Sequence, residues 1–131
     1  MQETYSEFTF DAAHKTTPDT PLHGHTFRAR IYFRGVRDPQ FGWSHDLLEL
    51  HPVVDRLKAE LDHRYLNEVP GLETPTLENT TRWIFHYLSG VVSGVDRVTL
   101  ERGGAGFAEG CTYSAETPHD VEPRCEREKP Q

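Results

Sequence analysis

From His23 to Phe33 the chain alternates without a break. His23, His25, Phe27, Ala29, Ile31 and Phe33 share one parity, and Arg28, Arg30 and Tyr32 take the other. Successive side chains of a strand point to opposite faces. The stretch therefore reads as a strand with one apolar face, and that face begins with two imidazoles. A second alternating stretch, residues 4–14, places Ser6, Phe8 and Phe10 on one parity and Tyr5, Glu7 and Thr9 on the other, and closes on His14. If the two strands pair, His14 meets His23 and His25. Three neutral imidazoles with an open fourth position are the ligand set of a catalytic zinc, which needs a vacancy for water or substrate. A His-x-His pair alone also occurs among ordinary surface histidines. The third imidazole, at the end of a neighbouring strand, makes the metal centre the sharper reading. Residues 15–22, with Pro18 and Pro21 among turn formers, connect the two ligand groups as a loop.

The period then changes. Leu47, Leu50, Val54, Leu57 and Leu61 are spaced by three and four, one stripe of an amphipathic helix. Pro52 is tolerated in a first turn, which places the helix at about 51–63. A loop rich in Asn, Pro and Gly follows, and Thr76 is a candidate N-cap for a second helix carrying Thr80, Ile84, Tyr87 and Leu88 on one face and ending at Gly90 or Gly94. Alternation returns over 95–101 and 106–115, joined by Gly103-Gly104-Ala105-Gly106 as a hairpin. The order is two strands, two helices, two strands. It predicts an α+β domain over 1–115, with an antiparallel four-stranded sheet covered on one face by two helices. Such a sheet has two open edges, which pairing with further copies of the chain would close. Residues 116–131, with three prolines and few apolar groups, are expected to be a flexible tail.

A chain of 131 residues with net charge −7 lacks the basic footprint of a nucleic-acid or anionic-membrane surface. No apolar run approaches the ~20 residues of a membrane span, and the start at Met1-Gln2-Glu3-Thr4 has no signal-peptide pattern. Cys111 and Cys125 are too few for a disulfide scaffold, so a reducing, cytoplasmic setting is expected.

Five ordered segments carry a family resemblance: Phe10-Asp11-Ala12-Ala13-His14, Leu22-His23-Gly24-His25-Thr26-Phe27, Leu61-Asp62-His63-Arg64-Tyr65-Leu66-Asn67, Pro75-Thr76-Leu77-Glu78-Asn79 and Leu100-Glu101. Together they resemble the motifs of the 6-pyruvoyl-tetrahydropterin synthase and 6-carboxy-tetrahydropterin synthase family, over about residues 5–113. The resemblance implies the tunnelling fold, ββααββ subunits joined edge to edge into a barrel, as trimers or stacked hexamers with active sites between subunits. It implies His14, His23 and His25 as zinc ligands, Asp62 and His63 as a proton-transfer pair, and Glu101 as the anchor of a pterin ring. A carboxylate suits the N–H donors of a 2-amino-4-oxo ring as it suits arginine. Each has a plainer alternative: His63 as a helix C-terminal cation, Glu101 as a solvated strand charge, and Thr76 as an N-cap rather than a substrate contact.

The family's synthases place a cysteine base four residues before the His-Gly-His motif, and here that position is Asp19. Asp19 is either a replacement base, which suggests retro-aldol cleavage of a dihydroneopterin-like side chain, or a turn residue of Thr17-Pro18-Asp19-Thr20-Pro21. The resemblance thus implies a zinc-dependent enzyme acting on the side chain of a reduced pterin such as dihydroneopterin or its triphosphate. The alternatives are a divergent enzyme with another small-molecule substrate and a catalytically silent zinc-containing oligomer that binds pterins.

Overall fold

The computed structural model describes residues 2–104 and 106–115. Strands β1 (Thr4–His14) and β2 (His23–Phe33) lead into helix α1 (Leu47–Leu61). A two-residue strand, β3 (Arg64–Tyr65), and a 3-10 turn (Leu66–Glu68) follow, then helix α2 (Leu77–Ser89) and strands β4 (Val95–Gly104) and β5 (Phe107–Ser114). The sheet order is β3-β1-β2-β4-β5. The tail expected over 116–131 lies outside the described residues.

Register follows from the alternation. Phe10 faces Phe27 across β1 and β2, and His14 faces His23. Ala29 faces Leu100 and Ile31 faces Val98 across β2 and β4. A slip of one residue would turn this whole set to solvent. With it fixed, Phe8, Phe10, Phe27, Ile31, Phe33, Val98 and Leu100 form one wall of the core, against Leu50, Val54, Leu57 and Leu61 of α1 and Ile84, Phe85 and Leu88 of α2. Phe10 and Phe27 stack with ring centroids 4.9 Å apart, one cross-strand pair below the histidines.

Two elements depart from expectation. The sheet has five strands rather than four and is not wholly antiparallel, because β3 runs parallel to β1 through Ala12–Arg64 and Ala13–Tyr65. The cause is local. The chain leaves α1 at Asp62, His63 adopts a left-handed conformation (φ 59°), and its N–H donates to the Asp11 carbonyl at 2.6 Å. Two residues are too few to show a period, so alternation could not reveal this strand.

The first helix starts at Leu47, not near 51, and Pro52 stands inside it. Proline in a helix interior costs roughly 3 kcal/mol. Against that, Asp46 caps the helix by accepting from Leu48 N at 3.0 Å, and the early turn brings Leu47 and Leu50 onto the core. Capping at about 1 kcal/mol and burial of Leu50 at roughly 1.5–3 kcal/mol, with a smaller part from the half-buried Leu47, offset the proline. The apolar stripe from Leu47 was therefore the better guide to the helix start.

β3 shields β1 only at Ala12 and Ala13. Among the described residues, the outer edge of β1 before Ala12 and the outer edge of β5 carry no partner strand.

Candidate metal centre and its surroundings

His14, His23 and His25 converge on the helix-covered face of the sheet. One ring nitrogen from each falls within 4.8 Å of the other two. The register does this: His14 and His23 are cross-strand partners, and His25 is two residues on from His23 on the same face. Gly24 between them keeps the strands close, since a Cβ there would stand 3.3 Å from the Ala12 carbonyl oxygen.

The hydrogen bonds fix the tautomers of two rings. His14 Nδ1 lies 2.9 Å from the Pro75 carbonyl oxygen, and His23 Nδ1 lies 2.8 Å from that of Pro21. A carbonyl only accepts, so both Nδ1 atoms carry the proton and donate it. In the neutral rings both Nε2 atoms are then bare lone pairs, yet they stand 3.1 Å apart. Two acceptors do not bond each other. Two nitrogens at metal-ligand distance around one tetrahedral ion stand about 3.3 Å apart, so the spacing is one that a shared cation would fit. His25 Nε2 is buried and has no hydrogen-bond partner among the described residues, which leaves it as the third donor.

Electrostatics favour the neutral, ligating form. His14 is fully buried. Burial lowers its pKa below the ordinary imidazole value, partly opposed by its bond to the Pro75 carbonyl. His25 is also lowered, first by burial and then by the nearby charge of Arg102. The donor set of three neutral nitrogens fits a borderline-soft divalent metal.

Two groups outside the triad hold its geometry. Pro75, buried just ahead of α2, presents the carbonyl that orients His14. Asn67 holds the backbone of Lys15 from both sides, its Nδ2 donating to the Lys15 carbonyl at 2.8 Å and its Oδ1 accepting from the Lys15 N–H at 2.9 Å. Both residues lie in the ordered motifs, but neither side-chain type signals this task. Backbone partners leave no trace in a side-chain pattern.

The other candidates occupy different places. Asp62 accepts from the Asp11 N–H at 2.9 Å, and its second oxygen lies 3.4 Å from Nδ1 of His63, whose side chain is 79% exposed. Asp11, Asp62 and His63 thus form a cluster distinct from the triad. An open cleft of 620 Å³ nonetheless has His25 and His63 on its wall, with Asp11, Thr26 and Tyr65. Glu101 pairs with Arg28 on β2, on the sheet face away from the histidines, and lies 3.7 Å from the Arg28 guanidinium. Thr76 caps α2 by accepting from Asn79 N at 3.1 Å. Asp19 is exposed in the loop between β1 and β2.

Arg102, outside the five motifs, also stands by the histidines. It directly follows Glu101 on a strand, so strand parity alone places it on the histidine face. No helix among the described residues is long and apolar enough to cross a membrane.

Comparison with known proteins gives the family and the fold. The 6-carboxy-5,6,7,8-tetrahydropterin synthase of Synechocystis sp. is 41% identical over 90 residues, covering 62% of this chain and 70% of that enzyme. The dihydroneopterin monophosphate aldolase of Pyrococcus furiosus is 43% identical over 77 residues, 57% of this chain and 64% of that enzyme. The fold superimposes on the 6-pyruvoyl tetrahydropterin synthase of Caenorhabditis elegans with a TM-score of 0.77 at 24% identity, covering 88% of this chain and 96% of that one. The family model of 6-pyruvoyl tetrahydropterin synthase matches residues 3–115, and with its α+β sheet and ordered motifs the chain belongs to that family.

Proposed function

We propose that this chain is a zinc-dependent enzyme of the cytoplasm that acts on the side chain of a reduced pterin, dihydroneopterin or one of its phosphates, by aldolase-like cleavage. The observation that carries the reading is the pair of facing Nε2 lone pairs on His14 and His23, with the partnerless Nε2 of His25 beside them. Zinc held there supplies Lewis-acid polarisation of a bound oxygen. Asp62 with His63 moves the proton, since a carboxylate beside an imidazole orients it and raises its basicity. Glu101 grips the ring edge and Thr76 assists in binding.

In the cleavage, a base removes the proton of the hydroxyl on the second side-chain carbon. The bond between the first and second carbons breaks, its electrons pass into the pterin ring, and the first carbon then takes up a proton. The products are a hydroxymethyl pterin and an aldehyde. Asp19 is the base in this reading. Support comes from a carboxylate standing where the synthases have a thiol, and from the likeness to the Pyrococcus aldolase.

Glu101 and the histidines lie on opposite faces of one sheet. A ring anchored by Glu101 of one copy therefore meets the metal of another, and the free edges of β1 and β5 are where copies join into a trimer or hexamer. Synthase-like chemistry is the second reading, favoured by the likeness to the Synechocystis enzyme.

The test is to incubate zinc-loaded protein with dihydroneopterin, its monophosphate and its triphosphate, and to identify products by mass. Glycolaldehyde or its phosphate supports the cleavage, loss of triphosphate supports the synthase reading, and binding without product overturns both. Unchanged turnover in Asp19→Ala removes Asp19 from the mechanism.

A further inference from the structure

Arg102 is the cross-strand partner of Phe27. The Phe27 ring meets His14 and His25 edge-on, at centroid separations of 5.8 and 5.5 Å. Arg102 thus stands one diagonal step from His25 on the same face, ~7–8 Å between backbones and within reach of a long side chain. Its Nε donates to Glu109 Oε1 at 2.9 Å. Its Nη1 is buried and has no hydrogen-bond partner among the described residues.

A guanidinium cannot shed its charge, and it presents its donors in a fixed fork. Leaving one of them buried without an acceptor is costly. The neighbouring His25 Nε2 is likewise buried without a partner among the described residues, and as a metal ligand it offers a lone pair; the two do not bond each other. The nitrogen lone pair calls for a cation and the guanidinium for an anion. Glu109 balances the arginine, whereas three neutral imidazoles leave a divalent metal's charge uncompensated. An anionic oxygen on the metal's open position would meet both needs.

We propose that Arg102 is an anion-binding residue of the histidine centre, its free guanidinium N–H donating to an anionic oxygen of the ligand held beside the metal. That oxygen belongs either to a phosphate ester or to an oxyanion formed during reaction. The assignment rests on the metal reading above.

The test uses the full chain loaded with Co2+, whose visible absorption reports its coordination, titrated with inorganic phosphate. The wild-type spectrum shifts saturably. Arg102→Gln takes up Co2+ as the wild type does but weakens phosphate binding about tenfold or more, as expected for loss of a charge-assisted bond, and Arg102→Lys recovers part of it. Glu109→Gln leaves phosphate binding as tight or tighter, because the guanidinium loses its competitor. Unchanged phosphate binding in Arg102→Gln overturns the proposal. So does equal weakening in Glu109→Gln, the result expected if the pair only staples the hairpin. A wild-type protein that takes up no Co2+ overturns the metal reading and this assignment with it. Turnover separates the two sources: a raised KM for the phosphate ester alone identifies the ester, and a lowered kcat with phosphorylated and unphosphorylated substrates identifies the oxyanion.

Discussion

Removing the Asn67 side chain tests whether the proposed metal centre is held from outside its three histidines. The amide makes two bonds to the backbone of Lys15, at 2.8 and 2.9 Å, in a part-buried setting. Asn67→Ala removes both and strands one N–H and one carbonyl. Each such bond contributes about 0.5–1.5 kcal/mol net, and a stranded buried group costs about 1–3 kcal/mol. Water reaches a part-buried site, so the lower figures apply and the two together come to about 2 kcal/mol. At about 3–4 °C per kcal/mol for a chain of this length, Tm of the metal-free protein falls by about 6–8 °C. Lys15 adjoins His14, and the loop to His23 starts there. If the ordering of one backbone residue, ~1–2 kcal/mol, passes from folding to metal binding, affinity drops about tenfold. Asn67→Asp keeps the acceptor but sets a carboxylate oxygen against the Lys15 carbonyl, so it does no better than alanine. Thermal melts and competition with a chromophoric chelator read the two effects. The clamp is refuted if Asn67→Ala melts and binds metal as the wild type does, and a loss of stability with unchanged affinity confines it to the fold.

Burial holds the pKa of His14 and His25 below the ordinary imidazole value. The unfolded chain therefore takes up protons first as pH falls: stability is full above about pH 6.5 and declines below it, by at most ~1.4 kcal/mol per pH unit per imidazole, until the folded values are reached. Urea unfolding of the metal-free protein from pH 7.5 to 5 shows that decline, and His14→Gln flattens it. Gly94 has φ 79°, and a Cβ there would stand 2.2 Å from the Arg34 carbonyl oxygen, so Gly94→Ala destabilises by at least about 2 kcal/mol in chemical denaturation. Thr76→Ala loses the α2 cap and about 1 kcal/mol, whereas Thr76→Ser keeps most of it by the same measurement.

The core and the convergence of the three histidines were legible because both follow strand parity. Phe27, Ala29, Ile31 and Phe33 and the histidines share one face in the sequence and in the fold, and register needs no further information when one face is apolar. The start of helix α1 follows the leucine stripe and not the proline rule. The local cost of Pro52 was real, but burial of Leu47 and Leu50 was decided elsewhere in the fold.

The sequence by itself determined the α+β order, the buried face and the set of three imidazoles, since periodicity and side-chain chemistry are properties of neighbours along the chain. Only the tertiary structure decided which carbonyls hold His14 and His23, that Asn67 grips Lys15 and that β3 joins β1. Those contacts join residues up to 61 positions apart. They run largely through backbone atoms, which every residue type offers alike, so no local pattern records them.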